Sequence, residues 1–297
     1  MTVRKIGYTR VSIARWVPYL FLLPAFILLF AFRIAPALAG FREALYAHNL
    51  SPVKRTFVGW ENFAHIFRDP IFWKSLRITL VFSLVTNPLQ TALALALAIL
   101  ANQRVRGISL FRSIYLLPVV ISINVTSTIW GLLLHKDAGM INGILVQLGL
   151  PRQPFLLSPD QALWTIIGII SWVGVPYWMM FFLAGLQGIP ETLYEAAAID
   201  GAGAWQCFRH ITLPLLRRVI AFVLISDTVV NLFLFAPVWI LTRGGPQLST
   251  NLLMYDAYRR GFVWGDMGSS AAMMMILLVI AAIAVAVEFL VLRTREE

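Results

Sequence analysis

The chain has 297 residues, 59% of them hydrophobic and 13% charged, with a mean hydropathy of +0.78, which excludes an ordinary soluble globular domain. The net charge of +10 does not signal nucleic acid, because the basic residues are scattered along span boundaries without a basic helix or an aromatic-interleaved patch; anionic lipid headgroups suit them better. A single cysteine, Cys207, excludes an internal disulfide and a multi-cysteine metal site.

In chain order, Arg4, Lys5, Arg10 and Arg15 precede an apolar stretch at 16–39. That stretch is longer than a signal-peptide core, so it is predicted to remain as a membrane helix. The segment 41–74 is polar enough to fold outside the bilayer. Five more spans are predicted at 77–101, 110–134, 161–186, 214–241 and 268–292, each meeting the roughly 20 helical residues that a bilayer requires. Six spans place both ends on one side. With cytoplasmic ends, twelve of the 24 basic residues lie inside, but in much shorter segments, so the positive-inside rule favours that orientation. The expected organisation is a cytoplasmic segment 1–15, a six-span domain 16–292 with a polar loop 190–214, and a cytoplasmic tail 293–297.

Polar residues within the spans are candidates for a pathway, because polar groups facing lipid are costly. Asp227 is the carboxylate deepest in a span, and Asn231 follows at i+4 on the same helix face. Together with Asn124, Ser122 and Thr126 they suit the hydroxyls of a sugar. Trp172, Tyr177, Trp178 and Trp130 offer aromatic faces for a pyranose ring. The structural alternative is that Asp227 and Asn231 bond only to a neighbouring helix or a partner chain. Glu288 is expected near the cytoplasmic end of the last span, snorkelling or pairing with nearby arginines.

The loop reads EAAAIDGAGAWQCFRHITLP from Glu195 to Pro214. Pro190 and Glu191 suit a helix start, and 194–199 forms a short helix whose Ala196, Ala197 and Ala198 allow close approach. Gly201 can end that helix in a left-handed conformation. A second short helix is predicted over 204–210, with Trp205, Phe208 and Thr212 along one side and Pro214 in the first turn of the next span.

This pattern resembles the cytoplasmic EAA loop of permease subunits from binding-protein-dependent ABC importers: Glu195-Ala196-Ala197, Gly201, Ile211, Leu213 and Pro214 have the family spacing. Leu183-Ala184-Gly185-Leu186-Gln187, Phe57-Val58-Gly59-Trp60, Tyr115-Leu116-Leu117-Pro118 and Thr242-Arg243-Gly244-Gly245-Pro246 resemble the sugar-permease branch, the relatives of the maltose transporter's membrane subunits. The resemblance covers nearly the whole chain. It implies an all-α integral membrane fold of the type I ABC importer permease, six transmembrane helices with a cytoplasmic helix-turn-helix coupling loop. It further implies a second homologous permease forming a heterodimer, a dimer of ATPase subunits and an extracytoplasmic solute-binding protein that delivers a sugar or polyol. Within the loop it implies coupling roles for Glu195, Ala196, Ala197, Asp200, Gly201 and Trp205, with Glu195 reaching a basic group of the ATPase.

No Gly-Lys dipeptide exists, so a phosphate-cradling P-loop is absent; ATP and Mg are expected in the partner ATPase, and this chain is expected to be no enzyme and to bind no cofactor. His48, His65, His135 and His210 have no metal-binding spacing, and no metal is assigned. The competing class is an ion-coupled secondary transporter using Asp227. Against it stand the absence of a second deep carboxylate or of a pair of broken helices, and a loop left without a role.

Overall fold

The computed structural model describes residues 17–47, 55–103 and 105–292. The basic N-terminal cluster, Trp16, His48, Arg104 and the tail 293–297 lie outside the described residues. Among the described residues, five helices are long and apolar enough to cross a membrane, at Tyr19–Glu43, Pro70–Ala101, Ala162–Gln187, Arg217–Leu241 and Met267–Leu292. A bent pair, Ile108–Val120 and Ile123–Leu133, supplies a sixth span.

The first span contains a π-helical turn at Phe30–Ile34. Pro36 follows immediately, and a proline within a helix cannot donate to the carbonyl one turn back, which the wider turn accommodates. None of the span's apolar stretch is buried within the chain. Its last segment, Ala35–Glu43, leans on the final span. A short antiparallel pair, Tyr46–Ala47 with Thr56–Phe57, leads to the helix Glu61–Arg68. There Asn62 donates to the carbonyls of Ala44 and Tyr46 at 2.8 and 3.0 Å. Gly268 of the final span faces the Tyr46 carbonyl so closely that any Cβ would collide with it.

The second span begins seven residues before the predicted 77–101, at Pro70. Asp69 caps it by accepting the Ile71 N–H at 2.8 Å, and Pro70 occupies a position where a missing N–H costs nothing. The second and fourth spans run against each other through Ala94, Ala98 and Ala101 on one side and Val175, Trp178, Met179, Phe182 and Leu186 on the other. Small side chains permit this approach, the usual way helices associate where lipid is as apolar as leucine.

The third span departs from the predicted continuous helix 110–134. Ile121 and Ser122 adopt extended backbone, and the two helical segments meet at 95°. Pro118 in the preceding turn removes one donor, and the break leaves further backbone groups for solvent or a neighbour to satisfy. The fifth span is interrupted after Leu232 and resumes at Ala236–Leu241.

Between the fifth and last spans, Leu253–Tyr258 packs against the second and last spans, and a π turn Arg259–Val263 packs against the last. Asn251 donates to Ser75 Oγ at 2.7 Å, and Thr79 Oγ1 accepts the Leu253 N–H at 2.9 Å. An ion cluster closes this corner: Arg260, 3% exposed, bonds Asp256 and Asp69, while Arg259 pairs with Asp256 at 2.9 Å. Burial of Asp69 opposes its charge, but the bonds from the Arg260 guanidinium and the Ile71 N–H outweigh this and hold its carboxyl below the usual carboxylate range.

Candidate coupling loop and translocation pathway

The insertion between the fourth and fifth spans is a helix, a turn and a helix. Glu191–Ile199 is helical, one turn longer at its start than the predicted 194–199. Gly201 has φ +78°, and the Ala202 N–H bonds the Ala197 carbonyl at 2.9 Å while the Gly201 N–H bonds that of Ala198 at 3.1 Å. Those two bonds are the six-to-one and five-to-two pairs of a Schellman terminus, which needs a left-handed residue at this position. Gly203 then starts the second helix, where the Gln206 side chain accepts the Gly203 N–H at 2.7 Å. The helix Ala204–Cys207 runs through a π turn, Phe208–Thr212, into Leu213–Leu215.

Tyr194 and Thr212 hydroxyls meet at 2.9 Å and tie the two limbs together. A hollow of about 320 Å³ opens between them, lined by Ala197, Asp200, Gly201, Gln206 and His210. Gly185 in the fourth span lets Leu216 and Val219 approach, since a Cβ there would lie 2.9 Å from either side chain. The loop is thereby braced against the bundle. Glu195, Ala196, Asp200 and Gly201 are exposed, as are Trp205 at 67% and Ile199 at 87%, whereas Ala197 turns partly inward. Trp205 and Phe208 rings touch at 5.4 Å, and Thr212 is buried. The outward surface of the loop thus carries an apolar and acidic face that the described residues leave exposed.

Within the spans, a hydrogen-bond network joins four helices. Asp227 Oδ1 accepts the Trp178 indole N–H at 2.8 Å and the Asn231 amide at 2.9 Å. Asn231 also donates to Asn87 Oδ1 at 2.7 Å, and Asn87 donates to Thr228 Oγ1 at 2.8 Å. Thr228 in turn donates to Glu288 Oε1 at 2.7 Å. Glu288 therefore does not snorkel toward arginines as expected; it turns inward and is a second carboxylate of the network. The i+4 spacing places Asp227 and Asn231 on one face, and both are buried.

Trp172 and Tyr177 are 41% and 40% exposed, and Asn124 is exposed just past the break of the third span. Trp130 and Trp172 rings meet nearly at right angles, 5.6 Å apart, linking the second segment of the third span to the fourth. Trp172 also lines an apolar cavity of about 260 Å³ with Tyr115, Leu93 and Leu97. The Asn124 side chain is not brought into the Asp227 network. Sequence reasoning missed Asn87 and Gln90 of the second span; Gln90 is buried, donates to Ser171 at 3.3 Å and fills the space left by Gly174. Their signal was present: Ser83, Thr86, Asn87 and Gln90 recur at helical spacing within an apolar run.

A family model described as binding-protein-dependent transport system inner membrane component matches residues 2–295. The chain is 34% identical over 273 residues to the sn-glycerol-3-phosphate transport system permease protein UgpA of Agrobacterium fabrum, covering 92% of this chain and 93% of that one. It is 35% identical over 246 residues to the trehalose/maltose transport system permease protein MalF of Thermococcus litoralis, covering 82% and 83%. In fold it is similar to a chain of a bacterial ABC transporter involved in the import of the acidic polysaccharide alginate, with a TM-score of 0.83, 24% identity, and coverage of 95% and 96%.

Proposed function

Since this chain belongs to the family of binding-protein-dependent transport system inner membrane components, and is a permease subunit of an ABC importer rather than an enzyme, we propose the following division of labour. A second, homologous permease pairs with it, two ATPase subunits dock beneath, and an extracytoplasmic binding protein delivers a sugar or polyol, in keeping with a relative named for trehalose and maltose and another named for sn-glycerol-3-phosphate. ATP and Mg belong to the ATPase subunits. The loop and both chain ends face the cytoplasm, with 1–15 and 293–297 as short flanking segments.

The observation that carries the coupling assignment is the braced loop with its outward face uncovered. Glu195, Ala196, Asp200 and Trp205 meet the ATPase, Ala197 and Gly201 hold the turn, and closure of the ATPase pair is transmitted through Gly185, Leu216 and Val219 to the fourth and fifth spans. A charged hydrogen bond from Glu195 to a basic group of the ATPase contributes about 1.5–3 kcal/mol. The solute path runs along Asn124, Trp172 and Tyr177 to Asp227 and Asn231. In the conformation described, Asp227 and Asn231 are closed behind their own bonds, and those bonds must exchange for solute hydroxyls when the cavity opens.

Mass spectrometry of material co-purified with a tagged copy from its native membrane tests the assembly. A P-loop ATPase and a second six-span permease are expected. Recovery of this chain alone, with uptake that needs no ATP, would overturn the reading.

A further inference from the structure

We propose that the seam between the second, third and fourth spans, at the end of the bundle that carries the loop, binds one membrane phospholipid. Its phosphate rests on Arg112, and one acyl chain lies in the apolar hollow beside Leu97 and Tyr115. The site rests on the packing of these three spans and not on the transport roles of the loop or the path.

Two hollows follow one another along this seam. The polar one, about 750 Å³, is lined by Asn102 and Gln103 past the end of the second span, Arg112 in the third, Gln187 ending the fourth, and Glu191 and Tyr194 of the loop. The apolar one, about 260 Å³, is lined by Leu93 and Leu97 of the second span, Tyr115 of the third and Val175 and Pro176 of the fourth, with Trp172 at its far end. Tyr115 follows Arg112 at i+3, on the same helix face and about 4.5 Å of rise deeper into the bundle. Leu97 lies about 7 Å of rise deeper than Asn102. A place for a polar head and a place for an apolar tail are thus in line.

Arg112 is held in position for a phosphate. Its Nε and Nη2 donate to the Ala101 carbonyl at 3.0 and 2.6 Å, at the end of the second span where carbonyls lack helical partners. The guanidinium has further N–H groups, and a planar fork already fixed in place matches phosphate oxygens better than a mobile ammonium does. The amides of Asn102, Gln103 and Gln187 supply donors and acceptors for the ester oxygens and the headgroup. Basic pockets between membrane helices hold acidic headgroups by the same chemistry. Leu93 and Leu100 of the second span and Phe111 and Ile114 of the third are exposed, so the seam opens on the apolar surface of the bundle. A hollow of this size takes an extended acyl chain, whereas a helix about 10–12 Å across with its side chains does not enter it.

The test irradiates the assembled transporter in nanodiscs doped with a phosphatidylglycerol that carries a diazirine in mid-chain, and maps the labelled residues by peptide mass spectrometry. Labelling at Leu93, Leu97 and Tyr115 should exceed that at Leu80 and Leu84, exposed on the second span and serving as the bulk-lipid reference. Arg112→Gln should cut the seam-to-reference ratio roughly tenfold, the effect of losing a charged hydrogen bond. Arg112→Lys, which keeps a cation, should cut it less. Should Arg112→Gln fail to assemble, Leu97→Trp, which fills the apolar hollow and leaves Arg112 in place, should lower the same ratio. Excess unlabelled phosphatidylglycerol should abolish seam labelling, whereas diacylglycerol, without the phosphate, and inorganic phosphate, without the chains, should not. A ratio near one, or one that diacylglycerol lowers equally, would mean bulk lipid only and overturn the proposal. Competition by inorganic phosphate would make this an anion site and overturn it too, and an unlabelled seam would mean that the partner permease covers it.

Discussion

Replacing Gly201 tests the loop at its turn. Its φ of +78° is left-handed, yet a Cβ built there has nothing within 4 Å, so crowding by neighbours contributes nothing and backbone conformation alone sets the cost. For an ordinary L-residue that cost is about 1–2 kcal/mol, whereas asparagine tolerates the region better. The energy falls on an exposed loop, so it shifts the turn away from its two closing bonds, Ala202 to Ala197 and Gly201 to Ala198, without unfolding the bundle. A shift of 1–2 kcal/mol is about a 5–30-fold change in the ratio of formed to unformed turn. In proteoliposomes containing the whole transporter, binding-protein-stimulated ATP hydrolysis and solute uptake should therefore fall in the order glycine, asparagine, alanine, valine, with membrane insertion unchanged. Alanine performing as well as glycine, or better than asparagine, would refute the conformational argument.

Four further expectations follow from the geometry. Tyr194→Phe removes the bond to Thr212 that joins the two limbs and should weaken the loop by about 0.5–1.5 kcal/mol, seen as faster amide hydrogen exchange over 191–212. Asn87→Ala leaves Asn231 and Thr228 each short of a partner and should lower the stability of the detergent-solubilised protein by about 1–2 kcal/mol; an unchanged melting curve would mean the network adds no stability. Gly174→Ala should displace Gln90 and destabilise the protein, and Gln90→Ala should relieve that defect in the double variant, which a pair of independent losses would not do. At the Arg260 ion cluster, Asp69 has a lowered pKa in the folded protein, so its stabilisation is fully present above the ordinary value of 3.8 and is lost as pH falls through the folded value. Melting temperatures of the native protein and of Asp69→Asn should differ at pH 7 and converge in acid once the folded carboxyl is protonated, below the ordinary value of 3.8; a difference that persists there would contradict the ion-cluster explanation.

The ion-coupled alternative was set aside partly for want of a second deep carboxylate and of broken helices. The structure turns the half-buried Glu288 inward as a second carboxylate, and it breaks the third span at Ile121 and Ser122 and the fifth after Leu232. What separates the readings is the family to which the chain belongs, together with the loop, which an ion-coupled carrier leaves without a role.

Local chemistry made much of this protein legible in its residues alone. The number of spans follows from apolar length, the loop's turn from the one residue type that adopts positive φ without cost, and the helix start at Pro190 and Glu191 from proline's missing N–H. The early start of the second span was legible too in Asp69 and Pro70, a cap and a first-turn proline, though its arginine and lysine masked it. Tertiary structure alone decided which way the polar side chains point. Lipid and neighbouring helices are equally apolar, so periodicity cannot tell an inward face from an outward one. That is why Glu288 found Thr228 instead of an arginine, and why Asn87 and Gln90, polar residues visible in the sequence, were not assigned to the face of Asp227: each depends on a partner brought close by the packing of distant helices.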